Sequence, residues 1–152
     1  MSISDPASPA GPSIHFHNES IEFQLANAEK VSSWLQTVAQ AEQKEVGNLN
    51  FIFCSDEYLH QINVEYLQHD TLTDVISFPY ATDIVEGDVF ISIERIRENA
   101  ELYKVAFEQE LYRVMVHGTL HLIGFEDKSP EDKKRMTQKE DQYLDLLYKT
   151  SV

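Results

Sequence analysis

The sequence predicts an α+β fold: a small mixed β-sheet of about four to five short strands covered by about five helices. Three observations carry that expectation. Apolar residues recur at helical spacing in five separate segments. Short alternating or continuous apolar runs of strand length lie between them. The element order ββαβαββααα shows no internal repeat and gives a small sheet covered by helices, an α+β or mixed α/β domain.

The elements follow in order. Residues 14–25 (IHFHNESIEFQL) alternate and read as two strands joined by a turn at Asn18-Glu19. From Asn27 to about Glu42, residues Ala28, Val31, Leu35, Val38 and Ala41 recur at helical spacing. Gly47-Asn48 breaks that helix, and Leu49–Cys54 is a continuous apolar run of strand length. Ser55 or Asp56 can cap a second helix with Tyr58, Leu59, Ile62 and Tyr66 on one face. DVISFP (74–79) and GDVFIS (87–92) are two further strands with an acidic loop between them. Ile93–Leu102 and Glu108–Ile123 read as helices. Ser129-Pro130-Glu131-Asp132 then supplies a cap, a proline at the first helical position and first-turn acids for a last helix ending near Tyr148.

Composition bounds the rest. A chain of 152 residues is long enough for one domain, burying roughly 68–70% of its extended surface. The proline-rich start, MSISDPASPAGPS, is expected to be a disordered leader over residues 1–12, with the folded domain at 13–152. One cysteine, Cys54, excludes an internal disulfide and favours a reducing compartment, so a cytoplasmic location is expected. No apolar run reaches membrane-spanning length, and no membrane partner is expected. Twelve basic against 26 acidic residues give a net charge of −14, which argues against loose, sequence-independent adhesion to nucleic acid. A local basic groove or a bound cation remains compatible with it.

The stretch VHGTLHLIGFED, 116–127, carries the chemistry. Six histidines in this chain would give about 0.2 pairs at i,i+4 by chance, so His117 and His121 alone are weak evidence. Residues four apart on a helix lie about 5–6 Å apart at Cβ, which lets two imidazoles share one cation. Gly124 can end the helix and turn Asp127 back toward them. Three ligands, His117, His121 and Asp127, with a fourth position open, describe a catalytic type of zinc site at a helix C-terminal turn. The competing reading is a core helix whose histidines bond to backbone carbonyls. The spacing also resembles that of the metzincin proteases, but Gly118 stands where their water-activating glutamate would be, which disfavours a peptidase. Glycine there leaves space beside a metal or serves close helix packing.

HGTLHLIGFED at 117–127, NVEYLQHDTLTDVISFP at 63–79 and GDVFIS at 87–92, in that order, resemble the YbeY metal-dependent endoribonucleases of bacteria, the ribosomal RNA maturation factors. The resemblance covers about residues 13–149. It implies a cytoplasmic hydrolase with one divalent ion per chain, zinc, that cuts single-stranded RNA. It also implies a part in maturing small-subunit ribosomal RNA and in ribosome quality control, with the small subunit as partner. Two positions depart from the family pattern. Asp127 replaces the usual third histidine and remains a competent, harder ligand. Leu67 stands where an arginine suited to phosphate is usual, four residues after Asn63, and the chain near it is expected to border the metal cleft.

His69, two residues on, is the candidate substitute for that missing cation and the candidate catalytic side chain. Lys128, Lys133, Lys134 and Arg135 form the densest basic group, with Lys128 and Arg135 the candidate RNA contacts; a solvated helix face is the plainer reading. Thr73 and Asp74 either orient a ligand histidine or cap the strand that follows. His15, His17 and His60 carry no ligand-like spacing. The expected function is therefore metal-dependent cleavage of single-stranded RNA. The alternatives are a metal hydrolase on another substrate, such as a peptide, and a non-catalytic ribosome-assembly factor that binds RNA.

Overall fold

In a computed structural model of the chain, residues 13–68 and 73–149 are described. Nine elements occur among them: β1 (Ser13–Glu19), α1 (Ala28–Ala41), β2 (Val46–Cys54), α2 (Asp56–Leu67), β3 (Val75–Pro79), β4 (Val85–Ser92), α3 (Ile93–Tyr103), α4 (Phe107–Ile123) and α5 (Pro130–Lys149). The strands form one mixed sheet in the order β1-β2-β4-β3. β1 runs parallel to β2 and β2 parallel to β4, while β3 pairs antiparallel to β4 at the edge. Four strands and five helices make the fold α+β, as the sequence predicts.

The alternation of the strands sorts their side chains between two cores. Leu49, Phe51 and Phe53 of β2 and Val85, Val89 and Ile91 of β4 meet Val31, Trp34, Leu35 and Val38 of α1 and Leu111, Met115 and Leu120 of α4. Tyr143, Leu144 and Leu147 of α5 close that larger core from outside. The opposite face carries a smaller cluster, in which Cys54 and Ile76 pack under Leu59 and Ile62 of α2. Tyr66, expected on the buried face of α2, is instead exposed, touching Phe78 only at the edge of its ring.

The expected hairpin over 14–25 does not form. β1 ends at Glu19, Ser20 takes a positive φ of 61°, and residues 21–25 run extended without pairing. Asn18 Nδ2 donates to the Phe23 carbonyl at 2.8 Å to hold the chain's return. Ile21, Phe23 and Leu25 alternate because one side of this segment packs on the larger core. Alternation reports an extended chain with one buried side, and a pairing partner is a separate matter. β1 finds its partner in β2 across the α1 crossover, which buries both strands under the same helices.

Other boundaries shift for local reasons. Gly47, expected to break structure, lies inside β2 at a register irregularity between Val46 and Leu49. A Cβ on Gly47 would come within 2.8 Å of Ile84 Cδ1, the tip of a side chain. Ser55 caps α2 by accepting from the Tyr58 N–H at 3.1 Å. Ser129 and Asp132 exchange cap hydrogen bonds of 3.0 and 3.3 Å ahead of Pro130. No helix among the described residues is long and apolar enough to cross a membrane. The expected leader, 1–12, lies outside the described residues.

Candidate functional site

His117 and His121 belong to the last two turns of α4, on the side of the helix that is only half buried. The helix ends where the spacing predicts. Gly124 has φ 128°, and its N–H and that of Phe125 bond back to Leu120 at 3.1 and 3.0 Å. Only glycine holds that conformation without strain. The turn carries the chain back over the helix end and brings Asp127 Oδ2 to 3.8 Å from His117 Nε2. One ligand atom from each of His117, His121 and Asp127 lies within 4.8 Å of the others, the group of this kind found among the described residues.

The outer nitrogens of the two rings decide what the inner ones offer. His121 Nδ1 lies 3.0 Å from the Phe125 carbonyl, which can only accept, so Nδ1 carries the hydrogen. His117 Nδ1 lies 2.6 Å from the Glu140 carboxylate and donates to it. Both Nε2 atoms are then bare in the neutral rings, and they face each other at 3.1 Å. Two lone pairs at that distance repel unless a proton or a cation stands between them. Ligands about 2.0–2.1 Å from a tetrahedral zinc lie roughly 3.3 Å apart, so the separation fits an ion with little adjustment. The competing reading, histidines satisfied by backbone carbonyls, holds for His121 Nδ1 alone and leaves the converging pair unexplained.

Electrostatics point the same way. Burial favours neutral His117, but the hydrogen bond and charge of Glu140, with Asp127 and Asp74 adding, outweigh it and raise its pKa. Burial and the neighbouring His117 charge lower that of His121. The two shifts run in opposite directions, so His117 is the more basic ring of the pair. The cleft beside His117, about 450 Å³, is lined by Asp74, Glu110, Asp127 and Glu140 against the one guanidinium of Arg113. Burial raises the pKa of Asp74, and burial with the charge of Asp74 raises that of Glu110. A cation is the group this donor set lacks.

The structure sorts the remaining candidates. Gly118 faces the sheet and not the cleft: a Cβ there would lie 2.7 Å from Val89 Cγ1 and 3.3 Å from Ser77 Oγ. The glycine serves close packing of α4 on β4 and β3, and a glutamate at that position could not reach the histidines. Asp74 lines the cleft, but its carboxylate accepts from Asn99 Nδ2 at 3.3 Å; the ring nitrogens are oriented by Glu140 and Phe125 instead. Thr73 donates to the Val75 carbonyl at 3.3 Å, a local strand-end contact. Lys128 is exposed beside Glu126, at 3.5 Å. Arg135 lines a different hollow, with Glu42, Gly124 and Phe125 behind the glycine turn, so it is not brought to the metal-ligand cleft. Leu67 ends α2 half exposed and is not among the residues lining that cleft. His69 lies outside the described residues. His17 lies 3.4 Å from Asn50 and beside the His15 ring, away from the α4 histidines.

Sequence reasoning missed Glu140 and Arg113. Arg113, His117 and His121 form an i, i+4, i+8 stripe on α4, which could have flagged the arginine. Nothing local to residue 140 announces its contact with residue 117.

The family model described as Endoribonuclease YbeY matches residues 13–148. Similar curated proteins carry the same name. One from Flavobacterium johnsoniae is 48% identical over 136 residues, 89% of this chain and 97% of that protein. One from Amoebophilus asiaticus is 49% identical over 133 residues, covering 86% of this chain and 90% of that protein. Among solved structures, a solution structure of a Thermotoga maritima protein matches with a TM-score of 0.66 at 25% identity, covering 90% of each chain.

Proposed function

Because this chain belongs to the YbeY endoribonuclease family, we propose that it cleaves single-stranded RNA with one divalent ion, zinc, held by His117, His121 and Asp127. Its role on this reading is maturation of small-subunit ribosomal RNA and ribosome quality control in the cytoplasm. The observation that carries the metal assignment is the pair of bare Nε2 atoms at 3.1 Å, each ring fixed from behind, with a carboxylate completing the set.

When bound, a divalent ion supplies Lewis acidity at a phosphoryl oxygen and lowers the pKa of water toward about 7. The chain's own part is to hold and orient. His117 and His121 present their Nε2 atoms on one helix face, and Asp127 adds a hard oxygen donor that suits a small divalent cation. Gly118 keeps α4 seated on the sheet, so both histidines are carried by a rigid element. The cleft beside His117 carries an excess of carboxylates, which leaves RNA to be drawn in through the ion. Gly118 also argues against the peptidase alternative, since no residue at that position could activate water.

The test is metal analysis of the purified protein followed by cleavage of a short single-stranded RNA with and without chelator, with casein in parallel. About one zinc per chain is expected, with cleavage of RNA and not casein, lost on chelation and restored by zinc. The His117→Ala, His121→Ala double variant should lose both metal and cleavage. Undiminished cleavage after metal removal would refute the metal assignment. RNA binding without cleavage, unaffected by chelator, would support an assembly factor instead.

A further inference from the structure

We propose that Glu140 of α5 is the positioning residue for His117, and that Arg113 holds Glu140 in place for that task. The inference rests on the metal assignment above. Glu140 Oε2 accepts from His117 Nδ1 at 2.6 Å, and Oε1 accepts from Arg113 Nη1 at 2.8 Å. The second arm of Arg113, Nη2, is tied to Asp141 at 2.7 Å. Arg113 and His117 stand one turn apart on α4, and Glu140 and Asp141 are consecutive on α5. The four form a clasp between the two helices, with the Glu140 side chain 9% exposed at its centre.

The two histidines are oriented by different means. His121 is held by the Phe125 carbonyl, four residues on in its own helix-end turn. His117 has no such local support, and only the docking of α5 sets its ring. With Glu140 removed, the His117 ring can turn over or carry its hydrogen on Nε2, and either change takes the lone pair away from the site. A buried carboxylate behind the ring also makes Nε2 a stronger donor. Asp74 acts on His117 only through its charge, its carboxylate being turned to Asn99.

The experiment measures zinc affinity of the metal-free protein by competition with a chromophoric chelator, together with the Tm of each metal-free variant. Glu140→Ala should bind zinc about 10–100-fold more weakly than wild type. Glu140→Gln keeps an acceptor for Nδ1–H but loses the charge and should fall between the two. Arg113→Met should also weaken zinc binding, since the carboxylate is freed to move. Asp141→Asn, at the exposed end of the clasp, should lower Tm slightly and weaken zinc binding less than Arg113→Met. If Glu140 only docks α5, Glu140→Ala and Glu140→Gln will lower Tm with wild-type zinc affinity, and that result overturns the inference. Glu140→Gln is close to isosteric, so it decides the matter should the alanine variant fail to fold. Wild-type protein that takes up no zinc overturns the metal assignment itself, and this inference with it.

Discussion

Two residues of the HGTLHLIGFED stretch, Gly118 and Asp127, lead to opposite expectations. Gly118 has no room: a methyl group there meets Val89 of β4. Gly118→Ala should cost about 1–3 kcal/mol through overpacking, visible as a lower Tm, because the contact is with a strand that cannot move aside. Asp127 has room to change. Asp127→His should keep the ion, since imidazole is also a zinc ligand, whereas Asp127→Ala should weaken zinc binding and abolish RNA cleavage. An alanine variant with unaltered zinc affinity would remove Asp127 from the ligand set. The proton on His117 gives a further expectation. His117 has a raised pKa, so just above the ordinary histidine value of 6.5 the folded, metal-free protein still holds that proton. Zinc must displace it, so binding should strengthen as pH rises through this range, releasing about one proton per ion. Calorimetry in buffers of different ionisation heat measures the release, and none at all would mean that His117 carries no such proton in the metal-free protein.

The helix α5 is joined to the rest of the fold by polar contacts at two heights. One is the clasp at Glu140. The other lies at the end of α1, where Glu42 accepts from Lys139 Nζ at 2.7 Å and from the Tyr143 hydroxyl. Trp34 Nε1 donates to the Tyr143 carbonyl at 2.7 Å, so α1 and α5 are pinned by a buried side chain as well. Burial disfavours the Glu42 charge, but the hydrogen bonds from Lys139 and Tyr143 outweigh it and hold the pKa below the ordinary 4.5. A depressed carboxylate pKa in the folded state means the stabilisation is present above pH 4.5 and is lost as pH falls through the lower folded value. Glu42→Gln should therefore be less stable than wild type by about 1–2 kcal/mol at pH 7. Chemical denaturation across pH should show that gap closing below about pH 4.5. A gap that is constant with pH would mean the charge contributes nothing.

Across the molecule, an acidic protein acting on a polyanion has to localise its attraction. The net charge of −14 repels RNA at long range, and among the residues lining the cleft only Arg113 carries a fixed positive charge, already paired with Glu140 and Asp141. Lys128 and Arg135 sit elsewhere. Few phosphates can then be neutralised by side chains. Single-stranded nucleic acid binding changes with log salt by about −0.7 per neutralised phosphate, so the slope for this protein should be near −1 or shallower. A slope of about −3 or steeper would show that basic residues outside the cleft, such as Lys133 and Lys134, also contact the RNA.

What was legible in the sequence is what one element decides alone. The spacing of His117 and His121 is set by the 3.6-residue turn, and Gly124 turns Asp127 back within the same eleven residues, so the grouping of these three side chains could be read without knowing any partner. The helices, and the Ser55 and Ser129 caps, follow from equally local rules. What needed the tertiary structure were the meetings between elements. Residues 21–25 alternate like a strand, yet they pack on the core without a strand partner and β1 pairs with β2 across α1. Gly118 is explained by Val89, 29 residues earlier in the chain, and the orientation of His117 by Glu140, 23 residues later. Arg135 follows Asp127 closely in sequence and still points behind the turn, since the direction of α5 is chosen by the packing of Tyr143, Leu144 and Leu147 on the core. Periodicity along a helix is a property of the backbone; which side chain waits on the other side of a contact is a property of the packed whole.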